Sequence, residues 1–86
     1  MEGDLNMISE SERERLLVGF KQTLRAVNED KAEKVFLAND CESKISSPIE
    51  NAASAKGVSL LYVPTMKELG ELCGIEVSSS CAVVTK

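Results

Sequence analysis

Eighty-six residues suffice for one compact hydrophobic core and are too few for two, so the chain is read as a single domain. Hydrophobic residues at 43% and charged residues at 28% fall in the ordinary globular range, and an aromatic content of only 3% points to an aliphatic core that needs no metal or staple. A net charge of -4 speaks against a strongly basic nucleic-acid binder, but five of the acids (Glu2, Asp4, Glu10, Glu12, Glu14) lie in the first fifteen residues against two bases (Arg13, Arg15), leaving the remainder close to neutral.

Residues 1–8, Met-Glu-Gly-Asp-Leu-Asn-Met-Ile, show no periodicity and are expected to form a flexible tail ahead of a domain over 9–86. Ser9 with Glu12 three residues on makes a capping box, in which hydroxyl and carboxylate each satisfy an orphan amide, and a short helix is expected to run from there to about Leu17. Leu16-Leu17-Val18 reads as a brief strand or extended link, Gly19 as a turn, and Thr23, Leu24, Ala26 and Val27 as the apolar face of a second helix ending at Asn28-Glu29-Asp30. Val35-Phe36-Leu37-Ala38 is a short apolar run between charges and Asn39-Asp40, as in a buried strand.

A polar loop is expected over Asn39–Ser46. Ser47-Pro48-Ile49-Glu50 then joins an N-cap serine, a proline at the first helical position and a capping-box glutamate, with Gly57 placed to end that helix. Val58–Val63, closed by Pro64, reads as a strand. Thr65 and Glu68 repeat the capping box for a helix to Cys73 with Gly74 beyond it, and Cys81-Ala82-Val83-Val84 supplies the last strand. Alternating helices and strands of this kind predict a small mixed central sheet with helices on both faces, a three-layer α/β/α sandwich.

The chemistry available is limited. The sequence has no histidine, which excludes His-based catalysis and His-metal sites. It has no glycine-rich phosphate loop and no nucleophile beside an evident base. Cys41, Cys73 and Cys81 form no C-x-x-C pair and are odd in number, so neither a disulfide framework nor a zinc site is expected and the thiols are read as small core residues in a reducing cytoplasm. No charged-then-apolar leader and no apolar run of membrane-spanning length are seen, so the expectation is a soluble cytoplasmic protein that is not an enzyme and uses no cofactor, metal or membrane.

Two segments could carry binding. In Gly19-Phe20-Lys21-Gln22-Thr23-Leu24-Arg25, glycine permits close backbone approach, the helix start offers free amides, and Lys21, Gln22 and Arg25 project donors, although a plain turn with a solvated helix face has the same composition. In Leu69-Gly70-Glu71-Leu72-Cys73-Gly74-Ile75-Glu76-Val77-Ser78-Ser79-Ser80, a glycine-stopped helix gives way to an apolar and charged loop with three hydroxyls. Such a loop can support splayed nucleotides; alternatively, Ile75 and Val77 point back into the core.

Taken in order and spacing, Gly-x-Lys-Gln-Thr, Ala38-x-Asp40, Val63-Pro64 and Leu69-Gly70-x-x-Cys73-Gly74-Ile75-Glu76-Val77 resemble the bacterial branch of the kink-turn-binding ribosomal-protein family of the L-seven-Ae type, over roughly residues 11–85. The resemblance implies a protein that recognises a kink-turn, a sharply bent RNA duplex with tandem sheared G·A pairs beside a bulge, with the ribosome among its possible settings. By position it implies that Gly19, Lys21, Gln22 and Arg25 contact the G·A pairs and adjoining phosphates, that Ile75, Glu76, Val77 and Ser78 face the bulged nucleotides, and that Lys67 reaches a phosphate. Archaeal and eukaryotic relatives commonly carry Asn-Glu in place of Lys21-Gln22 and lysine in place of Arg25, and the loop after Asp40 lacks the proline many relatives have. The alternative is an acidic protein-interaction module of the same fold. Arg13 and Lys56, on helices read as lying elsewhere, are expected to stand outside the RNA surface.

Overall fold

The computed structural model describes residues 8–86. In chain order these form α1 (Glu10–Arg13), β1 (Leu16–Val18), α2 (Phe20–Asn28), β2 (Ala32–Ala38), α3 (Ser43–Lys56), β3 (Ser59–Val63), α4 (Met66–Cys73) and β4 (Cys81–Thr85). The strands make one sheet in the order β1-β4-β2-β3. β4 runs antiparallel to both of its neighbours, Leu17 opposite Val83 on one side and Phe36 opposite Ala82 on the other, whereas β2 and β3, linked through α3, are parallel.

The period-2 alternation of strand side chains produces the layers. Val35 and Leu37 of β2 and Cys81 and Val83 of β4 point to one face, where they meet Ala26 and Val27 of α2 and Ile49 of α3. Phe36, Ala38, Ala82 and Val84 point to the other, against Leu69 and Leu72 of α4. Both faces being covered, the two central strands are apolar and buried over Val35–Ala38 and Cys81–Val84, and the result is the three-layer α/β/α sandwich. Among the described residues no helix is long and apolar enough to cross a membrane.

Several boundaries differ from the sequence reading, each for a packing reason. The capping box of α1 forms, with Ser9 accepting from the Glu12 amide and Glu12 accepting from the Ser9 amide at 3.1 Å, but the helix ends at Arg13 and not near Leu17. Leu16 and Val18 instead pair with Val84 and Ala82 and pack in the α4-side core, which a continued helix would forfeit. Glu12 also takes the Lys34 ammonium at 2.7 Å, and this bond, with the Ser9 amide, holds its carboxyl below the usual range. Ile8 is not free: it is buried in the α4-side core with Phe36 and Leu69, so order begins no later than this residue, and 1–7 lie outside the described residues.

The helix assigned to Pro48–Lys56 begins earlier, at Ser43, placing Pro48 inside it. The Ser47–Glu50 signature is therefore not the helix start. Extending the helix puts Ile45 one turn before Ile49 and on one stripe with Ala52 and Ala53, all packed toward the sheet. The cost is one hydrogen bond that proline cannot donate, close to the helix start. β2 is likewise longer than Val35–Ala38, because Ala32 is buried and pairs with Thr85 across an irregularity in register.

Candidate functional site

Gly19 precedes α2 at φ 118°, ψ 161°, a conformation that side-chain-bearing residues rarely adopt, and it leaves the helix start without a side-chain cap. The first-turn amides of α2, on Phe20, Lys21 and Gln22, are by helix geometry without intrahelical acceptors. Lys21 and Gln22 are exposed at this start, whereas Thr23 turns inward and is fully buried. The Thr23 hydroxyl has no hydrogen-bond partner; it lies toward the Cys81 thiol without reaching bonding geometry.

Arg25 stands one turn further on, and its Nε is held by the Glu29 carboxylate at 3.1 Å. Glu29 also takes Lys31 at 3.3 Å, and these two cations, Arg25 foremost, keep its carboxyl below the usual range. With Leu17, Gln22, Ala26 and Thr85 these side chains line a shallow groove beside the β1 edge.

The second segment is folded tightly onto α4. Thr65 caps that helix by accepting the Glu68 amide at 3.1 Å, while Asp40 accepts the amide of Met66 at 2.8 Å. Glu68 bonds the Thr65 hydroxyl at 3.2 Å. Ala38-x-Asp40 is thus a strand end whose carboxylate anchors a helix from another part of the chain. Gly74, at φ 78°, ends α4 in the left-handed region. The chain then turns back, the Ile75 amide bonding the Gly70 carbonyl and the Ser79 amide the Met66 carbonyl, each at 3.1 Å. Ser79 is buried and its hydroxyl donates to the Cys81 carbonyl at 2.9 Å.

This path decides the orientation of the loop side chains. Val77 is 69% exposed, the most open large hydrophobic residue among those described, so it does not return to the core; Ile75 is half-buried and Glu76 and Ser78 are exposed. Lys67 is exposed in the first turn of α4, next to Met66, whose carbonyl holds the end of the loop.

The turn and the loop meet through β4. The Gly19 amide donates to the carbonyl of Cys81 at 3.0 Å, and Cys81 immediately follows the loop, so Gly19, Lys21 and Gln22 share one end of the sheet with Ile75–Ser78. Arg25 is further down α2 and engaged with Glu29. Sequence reasoning missed two participants. A Cβ built on Gly74 would lie 3.3 Å from Nη1 of Arg13, which puts that guanidinium at the base of the loop, contrary to its reading as a remote position. Gly70 carries the loop directly above it, and its position inside a helix, where glycine costs about 0.5–1 kcal/mol relative to alanine, was the available signal.

The chain matches, over residues 5–86, the profile of the family described as Ribosomal protein L7Ae/L30e/S12e/Gadd45. An RNA-binding protein of Caldanaerobacter subterraneus subsp. tengcongensis is 44% identical over 66 residues, covering 77% of this chain and 80% of the relative. One from Halalkalibacterium halodurans is 37% identical over 71 residues, 83% of this chain and 87% of the relative. Among solved structures, the 15.5kD RNA binding protein of Giardia lamblia superposes with a TM-score of 0.84 at 27% identity, over 95% of this chain and 70% of that one.

Proposed function

The chain belongs to the ribosomal protein L7Ae/L30e/S12e/Gadd45 family, and within it we propose an RNA-binding protein whose target is the kink-turn in structured RNA. The observation that carries this reading is the meeting, through the Gly19–Cys81 hydrogen bond, of an uncapped helix start bearing Lys21 and Gln22 with a loop bearing an outward Val77. The relatives named for RNA binding support the same class of ligand.

Each half suits a different part of a bent RNA. Free amides with Lys21 and Gln22 offer donors to base edges and phosphates beside the sheared G·A pairs, with Gly19 permitting close approach. Arg25 joins them if a phosphate displaces Glu29. The apolar Val77, with Ile75, Glu76 and Ser78, gives unstacked bulge nucleotides a surface to rest on, and Lys67 supplies a phosphate contact at the rim. We read the chain as a binder and not an enzyme, acting in the cytoplasm, with ribosomal RNA as one of its natural settings.

The test is equilibrium binding to a duplex containing a kink-turn and to the same duplex with its G·A pairs replaced by Watson–Crick pairs. Preference for the kink-turn is expected, with a shallow salt slope of about two to three charges. Equal affinity for the two duplexes sinks the kink-turn reading, and absence of affinity for either leaves the acidic protein-interaction module in its place.

A further inference from the structure

The loop after α4 crosses that helix at Gly70 with no room to spare. A Cβ at this position would stand 2.1 Å from the carbonyl oxygen of Val77, 3.1 Å from its carbonyl carbon and 3.2 Å from Cα of Ser78. All three are backbone atoms, so no change of side-chain rotamer relieves the overlap; the loop itself must lift. On either side of the crossing the loop is tied down, by the Ile75 amide to the Gly70 carbonyl and by the Ser79 amide to the Met66 carbonyl. Helix formation does not ask for glycine in the middle of α4, since alanine there would favour the helix.

We infer that Gly70 is a positioning residue for RNA binding: its missing side chain sets the height at which the loop crosses α4, and that height presents Val77 outward. Val77 is 69% exposed while Ser79, two residues on, is buried and bonded to Cys81, so the segment has one register in which an apolar side chain faces solvent and a hydroxyl faces the core. Lifting the loop at Val77 pulls against both amide ties and disturbs that register. Gly70 acts through Val77 and touches no RNA itself, and the inference rests on the RNA reading of the loop.

The experiment compares the parent with Gly70→Ala, Val77→Ala and the double variant, in binding to the kink-turn duplex and its Watson–Crick control across a range of salt. Val77→Ala is expected to weaken kink-turn binding about tenfold, in line with losing two methylene equivalents of apolar contact. Gly70→Ala should weaken it at least as much, and the double variant no more than Gly70→Ala. The salt slope should be the same for all four, because Lys21 and Lys67 are untouched.

Parent-like binding by Gly70→Ala beside a weakened Val77→Ala overturns the inference, as does a double variant as weak as the product of the single effects. If Val77→Ala, Lys21→Ala and Gln22→Ala all bind as the parent does, the RNA reading falls and takes the inference with it. The parent alone supplies a second measurement that does not depend on Gly70→Ala folding. In the free protein the amides of Ile75 and Ser79 should be protected from hydrogen exchange; exchange at the rate of an unstructured peptide means the loop is not held over Gly70 and overturns the inference.

Discussion

Glu29 holds the guanidinium of Arg25 at 3.1 Å and the ammonium of Lys31 at 3.3 Å, so one carboxylate occupies two cations on the flank of α2. A phosphate approaching Arg25 competes with that carboxylate.

Glu29→Gln is therefore expected to strengthen kink-turn binding. Exposed ion pairs of this kind are weak, which limits the gain to roughly fivefold or less. The salt slope should steepen at the same time, because a released Arg25 adds a phosphate contact. Titration of binding at several salt concentrations measures both, and an unchanged slope would mean that Arg25 stays off the RNA.

Substitutions at the two halves of the site should separate by their salt dependence. Gln22→Ala should cost about 1–3 kcal/mol, the range for a good base contact. Lys21→Ala should also lower the salt slope by about one unit, and Val77→Ala should weaken binding with the slope unchanged. Lys56, paired with Asp30 at 3.1 Å by the C-terminal end of α2, is the neutral control. Arg13 is not, because it borders Gly74. Thermal melts of each variant distinguish lost contact from lost fold; three folded variants that all bind as the parent does would remove the site.

Asp40 should behave as a capping residue. Asp40→Ala removes the acceptor for the Met66 amide and should cost about 1 kcal/mol, lowering Tm by about 4–8 °C in a domain this small. Asp40→Asn keeps an oxygen acceptor and should recover most of the loss. Equal melting of parent and Asp40→Ala would show that water replaces this cap without cost.

The thiols should matter to stability and not to binding. Burial, more than any neighbouring charge, pushes Cys73 up to about 11 and raises Cys41 and Cys81 in the same direction. A thiol with a raised folded pKa contributes stability that is present below its unfolded value, near 9, and lost as pH rises through the folded one. The parent should accordingly lose more stability than Cys73→Ala between about pH 9 and 11. Replacing all three cysteines should lower Tm while leaving RNA affinity nearly unchanged. Identical pH profiles for parent and Cys73→Ala would contradict the first expectation.

What could be read from the sequence follows the range of the interactions involved. Ser9/Glu12, Gly57 and Gly74 act through bonds a few residues long, and their caps form where the spacing places them, whereas Thr65/Glu68 forms only half of its expected capping box, the Glu68 carboxylate taking the Thr65 hydroxyl and not the Thr65 amide. Ser47-Pro48-Ile49-Glu50 has the same local form and misleads, because Ile45 gains a place in the α3 stripe that local capping cannot outweigh. β1 escaped a firm assignment for a similar reason: three residues have no periodicity to show, and only pairing with β4 makes them a strand. At the site, Gly19, Lys21 and Gln22 and the outward Val77 could be named from motif order, but the crossing at Gly70 and the place of Arg13 exist only where distant segments touch.

The strand order also makes the sheet depend on β4. β1 and β2 do not pair with each other; β4 lies between them and is the last strand in the sequence. Without Cys81–Thr85, β1 has no partner in the sheet and β2 lacks one of its two neighbours. The same segment carries the carbonyl that bonds the Gly19 amide, so the candidate site is assembled only together with the complete sheet.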